Sequence, residues 1–192
     1  MDKTFKRAGV FFAIASMVYL IAMLLLKSIP LNLASFGLFF LIDFAIIVAI
    51  LRAREKDDMS WPWLMIAFTV GTAVVLAILW HNLSAGKSVF EWTWKETLSV
   101  VAAVIAMIVW YLKNDKWGVY MSTNAMTIAA IPTWGDALCD PASTDLIFWA
   151  LSGMGCFLTI FGNPKTPVSR YMPVMGAISN FFVVLLGMRQ FL

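Results

Sequence analysis

Seven stretches of predominantly apolar residues recur along this chain, at about 8–26, 32–52, 61–80, 96–112, 118–136, 145–162 and 171–191. Each is close to the roughly 20 residues that cross a bilayer as a helix. In hydrocarbon each backbone N–H and C=O has to be satisfied inside the segment, so runs of this kind are expected to be helices. The connections hold a few to about fifteen residues, which leaves no room for a soluble domain. Composition agrees, with 61% hydrophobic and 13% charged residues and a mean hydropathy of +0.84, against roughly 45–50% and 25% in a soluble domain. The expected fold class is an all-α integral membrane protein with seven transmembrane helices. The first run, Ala8 to Leu26, is too long for a signal core and lacks a small-residue cleavage site, so it is expected to remain as a span.

Basic residues in short loops resist translocation, and they divide unequally here. Ten fall on the side of the N-terminus: Lys3, Lys6, Arg7, Arg52, Arg54, Lys56, Lys113, Lys116, Lys165 and Arg170. Four fall on the other: Lys27, Lys87, Lys95 and Arg189. The N-terminus is expected in the cytoplasm and the C-terminus outside, in a prokaryotic cytoplasmic membrane. The bias accounts for the net charge of +3, and no nucleic-acid partner is read from it. The cluster Arg52-Ala53-Arg54-Glu55-Lys56 reads as a topology determinant touching anionic headgroups.

A shift of 110 positions pairs Met65 with Met175, Ala67 with Ala177, Thr69 with Ser179, Leu41 with Leu151 and Lys6 with Lys116. It also lays the first three spans and their basic loops over the last three. The reading is three spans, a linker span and three spans (3+1+3): a first unit at 1–82, an outer surface segment and linker helix at 83–113, and a second unit at 114–192. Leu83 to Glu96 is expected to lie as an amphipathic stretch on the outer surface. An intervening single helix makes the two units parallel, related by an axis along the membrane normal, with a cavity between them.

Gly118 to Gly162 is the most distinctive stretch. Pro132 interrupts the fifth span, where it removes a backbone hydrogen bond and should kink the helix, a feature tolerated in lipid only against protein or a water-filled cavity. Ala130-Ile131-Pro132-Thr133-Trp134, a short polar turn ending in Ser143-Thr144 and a tryptophan one turn into the sixth span follow in order. In these elements the chain resembles the PQ-loop superfamily, which includes the SWEET and SemiSWEET sugar transporters and the nicotinamide riboside transporters. Thr133 stands where the family usually has glutamine, and Ala22 stands at the position paired with Pro132. The resemblance implies alternating-access passage of a small polar solute, with Pro132, Thr133 and Trp134 as pathway or gating residues. It also aligns Asn180 with the asparagine that the SWEET family carries on the last helix of a repeat, opposite Val70 in the first.

Helical projection gives a separate view of the pathway. Gly176, Ser179, Asn180, Val183 and Gly187 share one face of the seventh span; Asp145, Trp149, Ser152, Cys156 and Thr159 share one of the sixth; Asn124, Thr127 and Ile131 point together in the fifth. Small and hydroxyl residues serve equally for close helix packing. An amide and an indole facing one interior suit a sugar or nucleoside, so Trp149, Asn180, Asn124 and Ser152 are the expected solute-binding residues.

Asp43 is the one acidic residue deep inside a span. A charged carboxylate there costs at least about 2.5 kcal/mol, and no lysine or arginine lies at comparable depth, so it has to find a partner or hold a proton. Two roles stay open: a protonated link between helices through Tyr19, Thr69 or Thr72, or a group that couples a proton or cation to solute movement.

Other residues have ordinary explanations. His81 and Trp61, Trp63, Trp92, Trp94 and Trp117 lie at span ends and read as an interfacial belt. The methionines read as adaptable packing rather than a metal path. Cys139 and Cys156 have no metal or redox spacing and are expected to be free. No hydrolase, metalloprotease or phosphate-loop motif is present, so the chain is not expected to be an enzyme, and no cofactor or metal is read. The partners are the lipid bilayer and a small-molecule solute, and a homo-oligomer is compatible with the sequence. Transport is the first reading. The alternatives are a substrate-binding membrane subunit of an energised importer and a non-transporting assembly or structural subunit.

Overall fold

The computed structural model describes residues 2–27, 31–57, 61–86 and 88–191, with the backbone alone for Lys27, Glu55, Lys56, Asp57 and Ser143. Of the basic residues counted for topology, Lys87 and the side chains of Lys27 and Lys56 lie outside the description. Among the described residues there is no strand; Asn32 and Val89 form an isolated bridge.

Seven α-helices fall on the seven apolar runs: α1 Lys3–Lys27, α2 Leu33–Asp57, α3 Trp63–Ser84, α4 Trp94–Leu112, α5 Asp115–Cys139, α6 Leu146–Gly162 and α7 Pro167–Gly187. Five of them (α1, α2, α3, α4 and α7) are long and apolar enough to cross a membrane. α6 is apolar but has 17 residues, and α5, at 25 residues, is diluted by its hydroxyls, its amide and its terminal charges.

Helix starts follow from side chains that cap otherwise orphaned backbone N–H groups. Asn114 Oδ1 accepts from Trp117 N at 3.2 Å, Asp145 Oδ1 from Phe148 N at 3.1 Å, and Thr166 Oγ1 from Ser169 N at 3.4 Å, with Pro167 in the first turn of α7. α4 opens with a capping box in which Thr93 and Glu96 satisfy one another's ends. Pro132 sits inside one continuous α5 and Pro173 inside α7.

The packing is set by small residues. α1 meets α6 where a Cβ on Gly155 would stand 3.0 Å from Gly9 O, and one on Gly162 would stand 2.6 Å from Lys6 N. These backbones are therefore in contact, as small-residue seams allow in membrane helices. α6 meets α7 in the same manner, with Phe181 over Gly153 and Cys156 over Gly176. The other main partners are α4 with α5, α2 with α5, α5 with α7, α2 with α3 and α1 with α3. α4 touches α5 and, less, α2.

The central core joins Ile42, Ile46, Ala49 and Ile50 of α2 to Val119 and Ala129 of α5, Cys156 of α6 and Met172 and Ala177 of α7. A second cluster of Leu20, Leu24, Leu33, Val75 and Leu79 packs the end of the molecule remote from the N-terminus. Outward faces carry Phe11, Val18, Leu26, Ile105, Ile108 and Leu185, all exposed. Apolar exposure on this scale fits a surface solvated by lipid.

Between α3 and α4 the described residues 85–86 and 88–93 are not helical, and they fold over the start of α2. Leu33 N donates to Val89 O at 2.9 Å, and the buried Ser88 donates to Leu79 O at 2.6 Å.

Candidate functional site

The first polar region is a cavity of about 410 Å³ between the start of α2, the segment before α4, the first half of α4 and the last turns of α5. Its polar wall includes Asn32, Ser35, Glu91, Lys95, Glu96, Ser99, Thr133 and Asp136, with Phe36, Phe39, Ala129 and Pro132 as the apolar part. Pro132 and Thr133 are thus the two expected pathway residues that line it. Trp134 turns away; its ring stands edge-on to Phe182 with centroids 5.2 Å apart, and its buried Nε1 has no partner among the described residues.

Glu96 organises this wall. Its carboxylate is 2% exposed. Oε1 accepts from Ser35 Oγ at 2.5 Å and Asn32 Nδ2 at 3.1 Å, and Oε2 from Thr93 N at 2.7 Å and Thr93 Oγ1 at 2.5 Å. The start of α4 also favours a negative charge through the helix dipole. Asn32 continues the network by donating to Glu91 O at 2.8 Å. Lys95 Nζ meets both Asp136 oxygens, at 2.8 and 2.7 Å, and ties α4 to α5. None of Asn32, Ser35, Glu96 and Asp136 was expected as a site residue. One signal was present in the sequence: Thr93-x-x-Glu96 before an apolar run is a capping-box pattern.

The second region is the contact of α5, α6 and α7. Asn124 Oδ1 accepts from Tyr171 Oη at 2.5 Å, and the Tyr171 ring stands edge-on to Tyr120. Asn180 Nδ2 donates to Gly176 O of its own helix at 2.7 Å, and its Cβ lies against Gly153. Asn124 Nδ2 and Asn180 Oδ1 make no hydrogen bond among the described residues. Trp149 is half-buried near the start of α6, stacked edge-on to Phe148. It makes no ring contact or hydrogen bond with Asn180, which lies deeper, beside Gly153. Ser152 is buried, and its Oγ has no partner among the described residues.

Asp43 lies in the core, 2% exposed, with Oδ1 unpartnered. The three partners considered for it do not bond it. Tyr19 interacts instead with Asp145 at the start of α6, Thr72 donates to Phe68 O at 2.9 Å, and Thr69 Oγ1 has no partner among the described residues. Cys156 is free and buried, and Cys139 is free and exposed. Among the described residues no cluster of His, Cys, Asp and Glu is disposed to hold a metal.

No family model, no curated protein and no solved structure matches this chain.

Proposed function

We propose that the chain is a seven-span membrane protein in which two three-helix units, α1–α3 and α5–α7, pass a small polar solute of the sugar, nucleoside or vitamin class by alternating access. The observation that carries the reading is the order of helix partners. α3 lies against both α1 and α2, α7 lies against both α5 and α6, and the units meet through the reciprocal pairs α1 with α6 and α2 with α5. That reciprocity is what two copies of one unit related by an axis along the membrane normal would produce. α4, with its contacts on α5 and α2, fits a linker outside both units.

A cavity of about 410 Å³ lies in the range of small-ligand sites, and its mixed polar and aromatic wall suits a hydroxylated solute. In this reading Pro132 and Thr133 form part of the entry, with Trp134 beside it. Trp149, Ser152, Asn180 and Asn124 serve the deeper pathway, where Asn124 Nδ2 and Asn180 Oδ1 are available to a solute. The basic side at Lys6, Arg52, Arg54 and Arg170 faces the cytoplasm, so the cavity opens outward.

The test is a thermal-shift panel of hexoses, nucleosides and vitamins on the purified chain. One or more members should raise the unfolding midpoint, and Ala129→Phe, which fills the cavity from a buried position on α5, should abolish that rise. A panel without any stabilising member, or a rise that Ala129→Phe leaves intact, counts against the reading.

A further inference from the structure

Asp43 is a buried carboxyl that the fold leaves unused. It stands midway along α2 and makes no hydrogen bond or ion pair among the described residues, and the flanking Ile42 and Ile46 pack in the core that joins α2 to α5, α6 and α7. The ionisable side chain that faces it is Cys156 of α6. The neighbouring helices supply no other at that depth: α3 has none from Leu64 to Trp80, α4 none from Thr97 to Trp110, α5 none from Met121 to Gly135, and α7 none from Met172 to Gly187. On α1 the one candidate at that depth, Tyr19, makes no hydrogen bond to Asp43 among the described residues and interacts with Asp145.

A carboxylate without a counter-ion at this depth is costly, so the group carries a proton while it is buried. A protonated carboxyl kept as a helix link would engage both its oxygens, and Asp43 Oδ1 is buried without a hydrogen-bond partner among the described residues. Buried hydroxyls on the adjoining helices, Ser152 on α6 and Thr69 on α3, are likewise without partners. These are groups that entering water would satisfy.

We propose that Asp43 is an exchangeable proton site at the junction of the two units, protonated while it is buried and deprotonated when the units part and water reaches it. The step breaks the carboxyl O–H bond and passes the proton to water, and no other bond changes. The proposal rests on the two-unit reading above and adds to it a proton as the coupled species.

The experiment is infrared spectroscopy of the full chain in lipid nanodiscs across a pH series, with wild type, Asp43→Asn and Asp43→Glu, and it needs no solute. Wild type should show the carbonyl band of a protonated carboxyl at neutral pH. That band should be absent in Asp43→Asn, shift in heavy water and disappear reversibly as pH rises, and Asp43→Glu should restore a titrating band. If Asp43→Asn does not fold, wild type labelled with carbon-13 aspartate gives the same assignment by the isotope shift. The proposal is overturned by the lack of an Asp43 band. It is equally overturned by a band that neither pH nor heavy water moves, or by one that sodium removes at fixed pH. Solute uptake is read separately, so titration without uptake contradicts only the transport reading, and uptake without titration contradicts only the proton site.

Discussion

Replacing Glu96 by alanine removes the acceptor on which the cavity wall converges. Four hydrogen bonds from Ser35, Asn32 and Thr93 end on its two oxygens, and the one from Thr93 N is half of the capping box of α4. Losing a cap costs about 0.5–2 kcal/mol, and a buried donor stripped of its acceptor costs about 1–3 kcal/mol. Asn32 keeps its bond to Glu91 O, and the adjoining cavity gives water access to the freed hydroxyls, so the donors do not each incur the full penalty. A net loss of about 3 kcal/mol follows, equivalent to a fall in unfolding midpoint of roughly 6–12 °C for a chain of this size. Glu96→Gln keeps one carbonyl oxygen and should lose about half as much. The assay is a melt with a fluorogenic thiol reagent after Cys139→Ser, so that the signal comes from Cys156, 1% exposed in the core. A double-mutant cycle with Asn32→Ala should show a coupling of about 0.5–3 kcal/mol. An unchanged midpoint in Glu96→Ala, or strict additivity with Asn32→Ala, would refute the convergent network.

The same melt tests the seam of α1 and α6. Gly155→Val forces a side chain into Gly9 O and should cost about 2 kcal/mol or more, whereas Gly135→Ala, with open space around it, should be neutral or gain up to about 1 kcal/mol. Lys95→Ala breaks an ion pair whose side chains are 36% and 61% exposed; it should cost at most about 1 kcal/mol, and a loss several times larger would show that the pair holds α4 in place. A cysteine introduced at Lys56, with Cys139 and Cys156 replaced, should react in whole cells with membrane-permeant thiol reagents and not with impermeant ones. Impermeant labelling would reverse the orientation read from the basic loops.

The helices were legible because seven apolar runs approach the length of a bilayer crossing, and the structure starts α5, α6 and α7 within a few residues of the expected bounds, at caps by Asn114, Asp145 and Thr166. What could not be read is which helix meets which. The small faces of α6 and α7 are visible in the periodicity, but nothing local says that Gly155 faces Gly9, more than a hundred positions away. The polar wall of the cavity was missed for the same reason, since its central bond joins Asn32 to Glu96 across 64 positions. Asp43 stood out in the sequence, yet its lack of a partner became evident only when Tyr19 proved to reach Asp145 instead.

Counterflow in proteoliposomes addresses solute passage directly. Vesicles carrying the purified chain are loaded with an unlabelled solute that stabilises it, then diluted into the labelled form. The account predicts a transient accumulation of label above equilibrium in wild type that is lost in Ala129→Phe. Binding of the solute with no such accumulation would contradict it, and would leave a membrane protein that holds a polar molecule without moving it.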